Sequence, residues 1–154
     1  MNQDKNRIDI YTDGGCLGNP GPGGWGYVII FGEKVYKNSG HDKATTNNKM
    51  ELTAVIKALE AYKKLLADKE FDSPRARVIT DSTYVKNGIT AWIKTWLKNG
   101  WKTADKKDVK NKELWIALKS LSDQINPEWE WVKGHSGNKW NEECDALVKK
   151  ATKG

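Results

Sequence analysis

Four carboxylates and one histidine stand where this chain could do chemistry: Asp13, Glu51, Asp81, Asp145 and His135. Asp13 and Asp81 each follow a β-rich run, Ile8 to Thr12 and Arg75 to Thr80. If those runs are parallel neighbours in one sheet, both carboxylates arrive at the crevice beyond the strand ends, where α/β sheets bind ligands. Plainer readings stay open for each. Asp13 precedes glycines and suits an Asx-turn, while Asp81 suits the N-cap of a following helix. Glu51 lies in a segment with apolar residues at Val55, Leu59, Tyr62 and Leu66. At ~100° per residue its side chain falls inside that apolar arc, so it faces the core and needs a cap or a cation to compensate it. The alternative is a capping box with Asn48. Asp145 sits at the margin of a C-terminal apolar stripe (Cys144, Leu147, Val148, Ala151) and, taken alone, reads better as a solvated helix charge. His135, in Gly134-His-Ser-Gly137, follows the last strand; beside a carboxylate cluster it could shuttle protons, and without one it is an ordinary loop residue.

The elements that must position these groups follow from periodicity. Alternation predicts strands at Ile8 to Asp13, Tyr27 to Phe31 and Lys34 to Ser39, with Gly32-Glu33 as a hairpin turn. Residues 14 to 26 hold seven of the 14 glycines and read as a tight loop. Gly21-Pro-Gly-Gly-Trp-Gly26 matches G-x-G-x-x-G, but a β-run follows it, so no helix N-terminus is placed to hold a pyrophosphate. A long helix starts at Asn48. After it come a strand over Arg75 to Thr80, helices over Ser82 to Asn87 and Thr90 to Asn99, a basic loop from Gly100 to Asn111, a helix over Lys112 to Gln124, a strand over Glu128 to Lys133 and a last helix over Asn141 to Lys153. This order implies an α/β domain with a mixed sheet covered on both faces.

The 154 residues suit one domain, and 38% hydrophobic content can fill its core. The longest apolar run, Tyr27 to Phe31, is too short to span a membrane, and the polar N-terminus does not resemble an export signal. Two cysteines, Cys16 and Cys144, make neither a disulfide framework nor a zinc pattern, which suits a reducing cytoplasm. The formal charge of +6 favours an anionic partner. Seven lysines and two aspartates fall within residues 94–112, so that stretch carries most of the excess.

Taken together, Asp13-Gly-Gly-Cys-Leu-Gly-Asn-Pro-Gly-Pro-Gly-Gly24, Thr45-Thr-Asn-Asn-Lys-Met-Glu51, Thr80-Asp-Ser-Thr-Tyr84, Gly100-Trp-Lys-Thr-Ala-Asp-Lys-Lys107 and Trp131-Val-Lys-Gly-His135 resemble bacterial type 1 ribonuclease H, in the right order over nearly the whole chain. The resemblance implies a ribonuclease H-like fold, in which a five-stranded mixed sheet of three antiparallel strands and two parallel ones carries helices on both faces. It implies one domain over 1–154, with a basic protrusion at about 92–112. It also implies a monomeric, cytoplasmic endoribonuclease that hydrolyses the RNA strand of RNA/DNA hybrids. The family's metal-binding carboxylates fall on Asp13, Glu51, Asp81 and Asp145, and its catalytic histidine on His135. Four converging carboxylates carry about −4, which requires cations in a dry cleft. Oxygen ligands without Cys or several His suit Mg²⁺, or Mn²⁺ in its place, rather than zinc. Two such ions can activate a water and stabilise the leaving oxygen, giving 5′-phosphate and 3′-hydroxyl products. Asp13 would bridge the ions, Glu51 and Asp81 would hold one each or share, and Asp145 would hold the second.

By the same resemblance, Cys16, Asn19, Asn47 and Asn48 contact the hybrid's minor groove and Thr46 a phosphate, with ordinary turn and cap chemistry as the alternative for the Asn47–Asn48 pair. Trp92, Lys98 and Lys102 belong to the protrusion, where aromatics stack and lysines follow phosphates; Trp96 is expected as a core anchor. The chain departs from the family at Thr83, where Gln is common, at Gly15, where Ser is common, and in a longer Ala67 to Arg75 segment. Two other functions remain: a non-catalytic hybrid-binding module, and a nuclease or strand-transfer enzyme of this architecture acting on DNA.

Overall fold

A computed structural model describes residues 7–70, 75–133 and 138–153. Its five strands are β1 (Arg7–Cys16), β2 (Gly21–Phe31), β3 (Lys34–Thr45), β4 (Arg75–Thr80) and β5 (Glu128–Trp131). They form one sheet in the order β3-β2-β1-β4-β5. β1, β2 and β3 are antiparallel neighbours, whereas β4 runs parallel to both β1 and β5. The mixed five-stranded sheet expected from the sequence is therefore present, and β1 and β4 are adjacent and parallel, as convergence of Asp13 and Asp81 demands.

The helices are α1 (Asn47–Ala67), α2 (Thr83–Asn87), α3 (Ile93–Lys98), α4 (Lys112–Ile125) and α5 (Lys139–Thr152), with a π-turn at Gly88–Trp92 between α2 and α3. Strand alternation divides the apolar residues between two cores. Ile8, Ile10, Tyr27, Ile29 and Val78 face α1 and α4, meeting Leu52, Val55, Leu59, Trp115 and Leu118. Tyr11, Val28 and Ile79 face the other way and bury Cys144 of α5.

The glycine content of residues 14 to 26 leads to the expectation of a tight loop. The glycine-rich residues are not a loop: β1 continues to Cys16 and β2 begins at Gly21, with Gly14 opposite Trp25 and Gly15 opposite Gly24. Only residues 17–20 connect the two strands. Glycine carries no side chain to show alternation, so the pattern hides the strands. What requires glycine is the approach of the helices to both faces. A Cβ on Gly14 would lie 2.3 Å from the Met50 carbonyl carbon of α1, and one on Gly24 would lie 2.9 Å from the Val148 oxygen of α5. The bare strands let both helices close onto the end of the sheet where Asp13 lies.

Candidate active site

The local structure around Glu51 and Asp81 hands the capping task to their neighbours. Thr46, not Asn48, caps α1, its hydroxyl accepting from Lys49 N–H at 3.2 Å. The capping box with Glu51 is thus absent, and α1 begins one residue earlier than expected. Ser82, not Asp81, caps α2, accepting from Val85 N–H at 3.1 Å. Asp13 is no turn residue either: it sits within β1, paired with Gly26, and its Oδ1 accepts from Gly14 N–H at 2.9 Å. Each plainer reading of these three carboxylates fails on this geometry.

They meet instead. Asp13, Glu51 and Asp81 each offer a carboxylate oxygen, and the three oxygens lie within 4.8 Å of one another. Glu51 is 8% exposed, while Asp13 and Asp81 are half-buried. Burial pushes the Asp13 carboxyl up to about 7, with Asp81 and then Asp145 adding repulsion and the Gly14 N–H opposing. Burial likewise raises Glu51 well above the usual carboxylate range, reinforced by Asp13 and Asp81; a Ser82 side-chain hydrogen bond pulls the other way. A site that disfavours its own charges this strongly suits a cation, and among the described residues this is the one such cluster with three ligand groups in reach.

Asp145 stands slightly apart. It pairs with Lys149 at 3.0 Å on α5, and with Asp13, Asp81, Asn141 and Glu142 it lines a cavity of about 100 Å³. It also borders, with Asp13, Gly14, Cys16 and Asn47, a wider cleft of about 500 Å³. His135 lies outside the described residues. Asn138, just after it in sequence, caps α5 through its Oδ1, accepting from Trp140 and Asn141 N–H at 2.9 and 3.1 Å.

Several of the expected substrate-contacting residues gather at the cleft rim. Asn19 Oδ1 accepts from Asn47 N–H at 3.1 Å and lies 3.6 Å from Cys16 Sγ, so the loop after β1 is tied to the start of α1. Asn47 and Asn48 are exposed. In the stretch expected to form a protrusion, Trp96 is a packing residue as expected, with ring centroids 5.4 Å from Trp115 and 5.9 Å from Trp92. Trp92 remains 37% exposed. Lys98 is exposed, but Lys102 has an ion-pair partner in Asp108, which the basic reading of that loop overlooks.

Sequence reasoning missed three residues around the carboxylates. Ser82 bonds Glu51 while capping α2. Asn141 carries a buried Nδ2 without an acceptor beside the acidic cavity. Trp131 donates from its indole to the Asp81 carbonyl. Only Ser82, a favoured N-cap type next to a strand-terminal Asp, carries a local signal that could have found it.

The profile of the RNase H family matches residues 5–153. A ribonuclease H of Treponema denticola is 52% identical over 154 aligned positions, covering 94% of this chain and 96% of its own. Among solved structures, LC9-RNase H1, a type 1 RNase H with the type 2 active-site motif, superposes with a TM-score of 0.79 at 30% identity, covering 99% of this chain and 75% of its own. LC11-RNase H1 in complex with an RNA/DNA hybrid superposes with a TM-score of 0.69 at 25% identity, covering 95% of this chain and 96% of its own. The sheet order, the acidic cluster where β4 stops beside β1, and a family match over nearly the whole length agree: the chain belongs to the ribonuclease H family.

Proposed function

We propose that the chain is an endoribonuclease that hydrolyses the RNA strand of RNA/DNA hybrids with two divalent cations. The observation that carries this reading is the meeting of Asp13, Glu51 and Asp81 within 4.8 Å. The donor set fits Mg²⁺, with Mn²⁺ able to substitute, because every ligand is a hard oxygen and their mutual repulsion needs a counter-charge. When bound, such ions supply an activated water on one side of the scissile phosphate and stabilise the leaving 3′-oxygen on the other, yielding a 5′-phosphate and a 3′-hydroxyl.

In this reading Asp13, with Glu51 and Asp81 both in reach, would be the central ligand of the ions. Glu51 and Asp81 hold from the α1 and β4 sides, and Asp145 holds from α5 across the cavity it shares with Asp13 and Asp81. His135 moves the proton and assists product departure. Cys16, Asn19, Asn47 and Asn48 read the minor groove, where 2′-hydroxyls mark the RNA strand. Thr46 takes a phosphate, and Trp92, Lys98 and Lys102 hold the duplex along the protrusion. The hybrid bound by LC11-RNase H1 supports this choice of substrate. The two free thiols, Cys16 and Cys144, support a cytoplasmic setting, and a monomer completes the reading.

A hybrid-binding module without activity is the weaker alternative, since three adjacent carboxylates would repel phosphates and contribute nothing to binding. Asp13→Asn tests the choice. Cleavage of hybrid falls to background in Mg²⁺ while hybrid binding persists; near-normal turnover would overturn the assignment.

A further inference from the structure

Asp81 lies one residue past β4, where strand pairing has ended. The last β4–β5 pair is Thr80 with Trp131, and Val132 N–H donates to the Thr80 carbonyl at 2.9 Å. The next carbonyl, that of Asp81, takes its hydrogen bond from a side chain: Trp131 Nε1–H donates to it at 3.2 Å. The same peptide unit is held at its other end, because Ser82 N–H donates to Thr80 Oγ1 at 3.0 Å. The peptide plane between Asp81 and Ser82 is therefore fixed on both sides. That plane helps set the direction in which the Asp81 side chain leaves the backbone.

Lys86 Nζ of α2 stands over the ring of Trp131, 5.0 Å from its centroid. Yet Trp131 is 41% exposed. A residue serving only to fill core would not leave so much ring in water with its N–H on a main-chain carbonyl. The place where this restraint acts needs it. Three carboxylates in mutual reach repel one another, and an unrestrained Asp81 would turn away from Asp13 and Glu51.

We propose that Trp131 is a positioning residue: its indole N–H and the Thr80 hydroxyl clamp the Asp81–Ser82 peptide unit and hold the Asp81 carboxylate against Asp13 and Glu51. The proposal rests on the reading of that cluster as a cation site, and it acts by pre-organising a ligand rather than by touching substrate.

The test uses Mn²⁺ alone, without nucleic acid, with the free ion followed by electron paramagnetic resonance. Trp131→Phe keeps a smaller aromatic ring under Lys86 and removes the donor. Mn²⁺ affinity is expected to fall about fivefold, equivalent to about 1 kcal/mol, the worth of one hydrogen bond. Trp131→Leu shows the same loss, and Thr80→Val, which releases the other end of the peptide unit, shifts affinity in the same direction. At subsaturating Mg²⁺ and saturating hybrid, kcat falls while KM for hybrid is unchanged, and raising Mg²⁺ restores kcat. If Trp131→Phe lowers the urea midpoint but binds Mn²⁺ like wild type, the role is structural and the proposal is overturned. If wild type binds no more Mn²⁺ than Asp13→Asn, the cation reading itself fails and takes this proposal with it.

Discussion

Replacing Asp13 by Asn should make the metal-free protein more stable at neutral pH, the reverse of what most buried substitutions do. The Asp13 carboxyl titrates at about 7 in the fold against 3.8 as an ordinary Asp, because burial and the Asp81 charge penalise its ionised form. Below pH 3.8 the group is protonated in both states and contributes nothing. As pH rises from there, the unfolded chain ionises freely while the fold resists, so stability is lost continuously until the folded group ionises near pH 7. A tenfold difference in proton affinity between the folded and unfolded chain is worth about 1.4 kcal/mol, which sets a ceiling of about 4 kcal/mol on the deficit above pH ~7 and about half that at pH ~5.5. Asn keeps an oxygen for the Gly14 N–H and never ionises, so the deficit disappears. Urea unfolding in the presence of chelator, at about pH 4, 5.5 and 8, should show the variant equal to wild type at the lowest pH and increasingly more stable above it. Mg²⁺ should then narrow the gap by stabilising wild type alone. A variant less stable than wild type at the highest pH, or a difference that does not change with pH, would refute the electrostatic account of this cluster.

Other outcomes follow from particular contacts. Lys69 adopts φ 60° at the end of α1, where Lys69 N–H reaches Leu66 O at 3.1 Å and Glu70 N–H reaches Leu65 O at 3.0 Å. This is the left-handed position that closes a Schellman motif, so Lys69→Gly should raise stability by about 0.5–1 kcal/mol in urea unfolding. Gly14→Ala would drive a Cβ to 2.3 Å from the Met50 carbonyl carbon; it should cost about 3 kcal/mol and abolish Mn²⁺ binding as α1 retreats with Glu51. On the protrusion, Lys98→Ala should lower the salt slope of hybrid binding by up to ~0.9, as one released phosphate contact predicts. Lys102→Ala should lower it less, because Asp108 already pairs with that ammonium.

How far the sequence revealed the site depended on whether a residue's role is local. Glu51 was legible as inward-facing because helix geometry alone places it in the arc of Val55 and Leu59. The strands leading to Asp13 and Asp81 were legible from β-branched runs, and β1 and β4 do lie side by side, but only β4 stops at its carboxylate while β1 runs on to Cys16. Caps were misplaced at α1 and α2, since Thr46 and Asn48, or Asp81 and Ser82, are equally good cap types and only the backbone path decides between them. The glycine-rich strands were hidden because their reason, helices pressing on the sheet from α1 and α5, is a contact between distant segments. Long-range contacts also explain what no local pattern shows: Trp115 of α4 is fully buried and bonds the Tyr84 hydroxyl at 3.0 Å, and Trp131 reaches the Asp81 carbonyl.

The central claim is that these carboxylates cut RNA paired to DNA. The most direct measurement is gel analysis of three uniformly labelled substrates, an RNA/DNA hybrid, single-stranded RNA and duplex DNA, each with Mg²⁺ and with chelator. The expected result is internal cleavage of the RNA strand of the hybrid in Mg²⁺, fragments ending in 5′-phosphate and 3′-hydroxyl, and no cleavage in the other lanes. Cutting that survives chelation, cutting of duplex DNA, or an intact hybrid in Mg²⁺ would contradict it.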